Sequence, residues 1–286
     1  MIDSEIKQQI QLPPLRDVIR EYELRAEKSL GQNFLLDQNI TDKIVRLSGS
    51  MAGMNAVEIG PGPGGLTRAI LASDAARLIA VEFDPRAVKA LQGLVVAYGD
   101  ERFKIVQGDA LDIDPLSLVE APRAILSNLP YNISTVLLLK WLEQIRKDQG
   151  AYRFMSLMFQ KEVGDRILAN PSSKTYGRLS VMAQWLCDVK RLFDLPPSAF
   201  TPPPKIKSSV LHFVPKDLGA QAPKFETMEK ILASAFNQRR KMIRGSLSEY
   251  MAEIEKVGIN PTLRAEDLSV ADYAALAAAR EAFTSA

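Results

Sequence analysis

Four groups of residues in this 286-residue chain are of types that can do chemistry together. The first is the run EIGPGPGGLT at residues 58–67, which follows a short apolar stretch and precedes a helical pattern from Leu66. Glycine lets the backbone turn sharply and come close to a ligand. Gly60, Gly62 and Gly65 satisfy the G-x-G-x-x-G spacing of nucleotide-binding loops. The second is Glu82, at the end of the next apolar run, where a carboxylate can accept hydrogen bonds from ribose hydroxyls. The third is Asp109 in QGDA, after a further apolar run, where an adenine amino group could be read. Together they predict a nucleoside ligand. NAD and S-adenosylmethionine share ribose and adenine, so these signals fit both. A pyrophosphate favours a helix N-terminus free of negative charge. Glu58, just before the loop, suits a cationic amino-acid moiety better.

The fourth group is Asn128-Leu129-Pro130-Tyr131, after the next apolar run. An exocyclic adenine amine is a poor nucleophile because its lone pair is delocalised into the ring. Two acceptors holding its two N–H groups draw the nitrogen towards tetrahedral geometry and localise that pair. The Asn128 side-chain oxygen and the Leu129 backbone carbonyl could be those acceptors, and Tyr131 offers a flat face for the base. With a sulfonium methyl donor, proximity and in-line geometry do most of the rest, and no strong general base is required. Taken alone, the tetrapeptide also reads as a turn with a packed tyrosine.

These groups need a scaffold that brings strand ends together. Apolar runs at 55–59, 78–82, 103–106, 124–127 and 154–159 alternate with helical patterns at 66 onward, 85–98 and 134–145. That alternation predicts βαβ units and a mostly parallel sheet buried on both faces. Leu12-Pro13-Pro14 precedes a helical stretch at 15–26, and another helix ends at Gly49. Residues 208–214 read as one more strand, followed by helices near 225–237, 239–256 and 270–283. The expectation is an α/β, Rossmann-like domain over residues 1–215, with the N-terminal extension, and a small all-α domain over 216–286.

Composition sets the outer limits. The hydrophobic share of 47% and charged share of 24% are those of a globular protein. No apolar run approaches the ~20 residues that cross a membrane, and residues 1–20 lack the apolar stretch of a signal peptide. One cysteine, Cys187, and one histidine, His212, exclude an internal disulfide and argue against a zinc site, which fits a cytoplasmic protein without a metal. The net charge of +2 is unevenly spread: residues 190–244 carry eleven Lys/Arg against four acids, +7, leaving −5 elsewhere. A basic segment of that kind suits a polyanion or a solvated surface. With no obvious apolar oligomerisation face, the expectation is a monomer.

Taken together, the chain resembles the bacterial small-subunit ribosomal RNA adenine dimethyltransferases, the KsgA family. The resemblance runs from about Leu12 into the C-terminal helices. It rests on KSLGQNFL at 28–35, the glycine loop, Glu82, Gly108-Asp109, Asn128 to Tyr131, and Gln160-Lys161-Glu162-Val163 with Arg166. It continues in FTPPPKIKSSV at 200–210, which contains Lys205, and in Phe236 with Arg239, Arg240, Lys241 and Arg244. The resemblance implies that Asn33, Leu35, Gly60, Glu82, Asp109 and Asn128 touch S-adenosylmethionine, and that Phe200 stacks on the target adenine opposite Tyr131. An aromatic pair is one way to hold an unstacked base. It also implies a substrate: two adjacent adenosines in the 3′-terminal hairpin of 16S rRNA within the small ribosomal subunit, each dimethylated at N6, with a role in subunit biogenesis. Lys205 and the cations of 239–244, read as a basic helix, would contact RNA phosphates. Gln160, Glu162 and Arg166 read as structural.

Three other readings share parts of this pattern. A large-subunit rRNA methyltransferase conferring macrolide resistance has the same chemistry, but the extension before Lys28 and the run PPPK at 202–205 favour the small-subunit enzyme. A nucleic-acid-binding factor on the same fold fits the basic segment, and the intact Asn128 and Tyr131 favour catalysis. A dehydrogenase fits the glycine spacing alone.

Overall fold

In the computed structural model, residues 12–24, 33–219 and 221–284 are described. The N-terminal residues 1–11 and residues 28–32 of the KSLGQNFL motif lie outside them. The elements in chain order are α1 (Leu15–Glu21), β1 (Phe34–Leu35), α2 (Gln38–Leu47), β2 (Asn55–Ile59), α3 (Gly65–Ala72), β3 (Arg77–Glu82) and α4 (Pro85–Tyr98). Then come β4 (Phe103–Gln107), α5 (Pro115–Leu118), β5 (Arg123–Ser127), α6 (Ser134–Lys147), β6 (Phe154–Gln160), α7 (Lys161–Ile167), α8 (Arg178–Leu186) and β7 (Cys187–Leu195). The chain finishes with β8 (Phe200–Thr201), β9 (Ser208–Pro215), α9 (Phe225–Asn237), α10 (Ile243–Ser246), α11 (Met251–Val257) and α12 (Val270–Thr284).

Several boundaries follow from local chemistry. Asp84 caps α4 by accepting the Arg86 N–H at 2.9 Å, with Pro85 in the first turn. Asp37 and Asp114 cap α2 and α5 in the same way. α1 starts directly after Pro14 and stops at Glu21, short of the expected residue 26. Glu23 adopts a left-handed φ of 50°, and the Leu24 N–H turns back to the Ile19 carbonyl, so the helix cannot run on there.

The main sheet has seven strands in the order β4-β3-β2-β5-β6-β9-β7. The first five are parallel, while β9 and β7 run antiparallel. The expected strands are all present. The sequence pattern gave no sign of β7, because it is a half-exposed edge strand whose charged residues interrupt any apolar alternation, with a bulge between Arg191 and Phe193. β1 and β8 form a separate two-stranded ribbon, Leu35 opposite Phe200 and Phe34 opposite Thr201.

Alternation along the strands divides the core. Val57, Ile59, Ile79, Val81, Ile125 and Met155 face α6 and α8. Ala56, Leu78, Ala80, Leu126 and Met158 share the opposite layer with α2, α3 and α4. The first layer continues without a break into the C-terminal helices: Trp141 and Trp185 share a cluster with Met228 and Ile231 of α9 and Tyr273 and Leu276 of α12.

The helix expected over 239–256 is corrected by the structure. Residues 238–241 form a turn, then come the single-turn α10, a 3-10 turn at Ser248–Tyr250 and α11. The Ile243 N–H bonds the Leu263 carbonyl at 2.7 Å and the Arg244 N–H bonds Pro261 at 3.0 Å, so the backbone is tied to the 261–264 segment. The buried side chains of Ile243, Leu247, Tyr250 and Ile254 hold it there. Among the described residues no helix is long and apolar enough to cross a membrane.

His212 lies buried in β9, its Nδ1 2.9 Å from the Ser156 hydroxyl and its ring 5.3 Å from that of Phe154. Burial, with Lys190 nearby, lowers its pKa from 6.5 to about 4. Below pH 6.5 the unfolded chain binds a proton that the folded one refuses, so this histidine removes stability as pH falls from 6.5 towards 4. Thermal melts across that window should therefore show a shallower acid decline for His212→Gln than for the parent; equal slopes would contradict the assignment.

Candidate active site

The parallel strands β2, β3, β4 and β5 end along one edge, and a pocket opens there with residues 33–35 as its outer wall. Ligands in open α/β sheets lie beyond the carboxyl ends of the strands, where the strand order reverses. Here the reversal falls between β2 and β5, since β3 and β4 lie on one side of that pair and β6 on the other. The last paired residues of the two strands are Val57 and Ile125. Beyond them the Ser127 hydroxyl donates to the Ile59 carbonyl at 2.6 Å and holds the diverging ends together.

The glycine loop leaves β2 at this divergence. At Gly62, φ is 55°, and an added Cβ would lie 2.9 Å from the Phe34 ring. An added Cβ at Gly65 would lie 2.3 Å from the Leu35 carbonyl oxygen. Both positions exclude a side chain, which lets β1 close directly over the loop. Such a cradle fits a nucleoside cofactor on backbone rather than side-chain walls.

Glu82 is buried, and both carboxylate oxygens are held by backbone. Oε2 accepts the Gly62 N–H at 3.0 Å and Oε1 the Asp84 N–H at 2.9 Å. Burial raises its pKa, and these N–H donors pull it back. The Gly108 N–H bonds the Glu82 carbonyl at 3.0 Å, which places the exposed Asp109 beside it at the pocket wall. Glu58 differs from expectation. Its carboxyl is buried at the base of the pocket and accepts the Thr67 hydroxyl at 2.7 Å. Burial, with a contribution from Glu82, raises its pKa to about 8 against the lowering effect of Thr67. The expected negative charge is therefore largely replaced by a bound proton at neutral pH.

Asn128 follows β5 and its Nδ2 donates to the Asn33 carbonyl at 3.0 Å. That bond fixes the amide with its oxygen as the free end. Neither Asn128 Oδ1 nor the Leu129 carbonyl has a hydrogen-bond partner among the described residues. Tyr131 is half-buried in the pocket wall; its hydroxyl lies 2.7 Å from the Ser208 Oγ, and its carbonyl accepts the Ser134 hydroxyl at 3.0 Å. Burial raises the phenol pKa, an effect the Ser208 hydrogen bond offsets in part.

The structure thus gathers Asn33, Leu35, Gly60, Glu82, Asp109, Asn128, Leu129 and Tyr131 around one pocket. Phe200 does not join them. It is 3% exposed and outside the pocket wall, because its pairing with Leu35 turns it into the buried cluster with Leu66 and Val210. Phe34 and Phe83 line the pocket and were missed by the sequence reading. Phe34 sits inside the 28–35 motif between two named residues. Phe83 follows Glu82 and is 60% exposed, an apolar ring left at the pocket rim where the strand ends.

Lys205 is exposed in the loop between β8 and β9. Arg240, Lys241 and Arg244 are exposed, with no ion pair among the described residues. Arg239 is held within the molecule by Glu266 at 2.7 Å and by the carbonyls of Ser173 and Lys174. Glu162 and Arg166 pair with each other on α7. Among the described residues no cluster of His, Cys, Asp and Glu is placed to hold a metal ion.

A family model described as "Ribosomal RNA adenine dimethylase" matches residues 23–280. Proteins named "Ribosomal RNA small subunit methyltransferase A" are close relatives. That of Ruegeria sp. (strain TM1040) is 46% identical over 94% of this chain and 97% of its own length. That of Rhodospirillum rubrum is 48% identical over 95% and 93%. Among solved structures, a dimethyladenosine transferase from Plasmodium falciparum superposes with a TM-score of 0.72 at 23% identity, covering 84% of this chain and 94% of the other. The 23S rRNA methyltransferase ErmE gives 0.66 at 21%, covering 87% and 100%. At those identities the likeness is one of fold.

The buried Glu58 yields a pH signature. Between pH 4.5 and about 8 the unfolded chain has lost this proton and the folded chain keeps it, so stability falls as pH rises through that window. Glu58→Gln should flatten that decline in melts from pH 5 to 9. An unchanged slope would show that the carboxyl is already ionised in the folded protein.

Proposed function

The chain belongs to the ribosomal RNA adenine dimethylase family, and we propose that its substrate is a pair of adjacent adenosines in the 3′-terminal hairpin of 16S rRNA within the small subunit, each dimethylated at N6. S-adenosylmethionine, the family's methyl donor, supplies an electrophilic methyl group on a sulfonium. Asn33, Leu35, Gly60, Glu82, Asp109 and Asn128 hold it, with Glu82 towards the ribose hydroxyls and Asp109 towards the adenine amine. The observation that carries this reading is the Asn128 amide. Its nitrogen donates to the Asn33 carbonyl, which leaves its oxygen and the neighbouring Leu129 carbonyl as a pair of acceptors in the pocket wall.

Those two acceptors orient the target amine and localise its lone pair, while Tyr131 supports the base. The methylated amine is acidic, and water takes its proton. Phe200 supports β1 from behind the pocket. Rate enhancement on this reading comes from orientation and from fixed dipoles at the reacting nitrogen.

Residues 1–215 carry the chemistry, and the helical residues 216–286 with Lys205 face the rRNA. Arg240, Lys241 and Arg244 supply phosphate contacts, whereas Arg239 mainly holds the 238–241 turn in place. The protein acts as a cytoplasmic monomer and takes part in subunit biogenesis.

The test is transfer of labelled methyl from S-adenosylmethionine to undermethylated small subunits, large subunits and free rRNAs, followed by mass spectrometry of the nucleosides. Dimethyladenosine from the small subunit is expected; label confined to the large subunit would overturn the substrate, and no label anywhere would overturn the enzyme reading. In the same assay Asn128→Ala should lower turnover about a hundredfold, with cofactor affinity changed far less. The triple change of Arg240, Lys241 and Arg244 to Ala should weaken RNA binding and flatten its salt dependence by roughly 0.7–0.9 per lost phosphate contact. Arg239→Ala should leave that slope nearly unchanged, and an equal flattening would assign Arg239 to RNA as well.

A further inference from the structure

In the proposed methyl transfer the ring of Tyr131 supports the base, and its hydroxyl touches neither base nor methyl donor. That hydroxyl lies 2.7 Å from the Ser208 Oγ, 77 residues further along the chain. Ser208 is fully buried and opens β9. Its backbone is paired on both sides, opposite Gln160 of β6 and Leu195 of β7. It is therefore a fixed post inside the sheet, whereas Tyr131 stands in a loop between β5 and α6. No second partner of the Ser208 hydroxyl is found among the described residues.

We propose that Ser208 is a positioning residue for methyl transfer: its hydroxyl anchors the Tyr131 phenol to the sheet and so fixes where the ring on which the target base rests stands in the pocket. This rests on the reading of Tyr131 as the support for that base. A tyrosine held only by its backbone can swing about its first side-chain torsion, which carries the whole ring away, and a base lying on it would lose its alignment with Asn128 and Leu129. A buried hydroxyl also requires a partner, so loss of either member leaves the other unsatisfied. The same segment joins the post to the RNA-facing surface, because the exposed Lys205 lies three residues before Ser208. RNA phosphates held there would bear on the strand that anchors the platform.

The pairings of Ser208 with Gln160 and Leu195 are made by main chain, so removal of the hydroxyl leaves the strand its ladder. Alignment of the base affects the reacting geometry more than RNA affinity, which phosphate contacts dominate. The experiment is a double-mutant cycle of Ser208→Ala and Tyr131→Phe, with kcat and KM for RNA-containing subunits and cofactor Kd measured separately. Each single change should lower kcat about tenfold, with KM and cofactor Kd within twofold, and the double variant should be no worse than either single one. Tyr131→Phe deletes the same bond without altering β9, so it carries the test should Ser208→Ala fold poorly. Additive losses, or an unchanged kcat in both single variants while Tyr131→Ala abolishes turnover, would overturn the role of Ser208 and leave the platform standing. Full turnover in Tyr131→Ala would overturn the platform, and the proposal with it.

Discussion

The site depends on one feature of the sheet: β2 and β5 stop pairing before they end. Their register closes at Val57 and Ile125, yet each strand continues for two more residues. Because β3 follows β2 on one side and β5 lies on the other, the segments leaving the two strands go to opposite sides of the gap. The gap would be a defect in the middle of a strand, but at the carboxyl edge it is a binding site. The Ser127–Ile59 bond sets its width. On one lip stands the glycine loop and on the other Asn128 to Tyr131, so both line one pocket.

The outer wall is as constrained as the gap. Residues 33–35 lie against Gly62 and Gly65 at distances that no side chain would permit. The same segment supplies the Asn33 carbonyl that orients Asn128 and the Leu35 backbone that pairs with Phe200. Pocket wall, Asn128 geometry and ribbon are thus one mechanical unit. A shift of β1 would open the pocket wall and misdirect the Asn128 amide together. Glu82 adds a second tie, since its carboxylate joins the Gly62 and Asp84 backbones across the same loop.

Much of this was legible in the sequence because it is local. Apolar runs of strand length, the helix that begins at Pro85, and the glycine loop each declare themselves within a few residues. What stayed hidden depends on partners far along the chain. The Asn128–Asn33 bond spans 95 residues and the Tyr131–Ser208 bond 77. β7 escaped notice because an edge strand needs little apolar pattern, and its polar residues serve the surface. The cations of 239–244 read as a helix because their neighbours fit a helical period. The backbone pairing to residues 261–264 overrides that local preference.

The burial of two acids in the site has a further physical consequence. Burial raises the cost of ionising both Glu58 and Glu82, and at Glu58 the nearby Glu82 adds to it, so that its pKa is pushed up to about 8. A permanent anion at that depth would be expensive. A neutral carboxyl hydrogen-bonded to Thr67 is not, and it can still ionise when a cation approaches, because an adjacent opposite charge lowers a carboxyl pKa. The pocket can therefore remain stable without an ion pair and yet respond to a positively charged ligand. A neutral nucleoside of the same shape would bring no charge to offset Glu58 ionisation. The base of the pocket therefore distinguishes a cation from a neutral ligand of the same shape by the charge it can take up at Glu58.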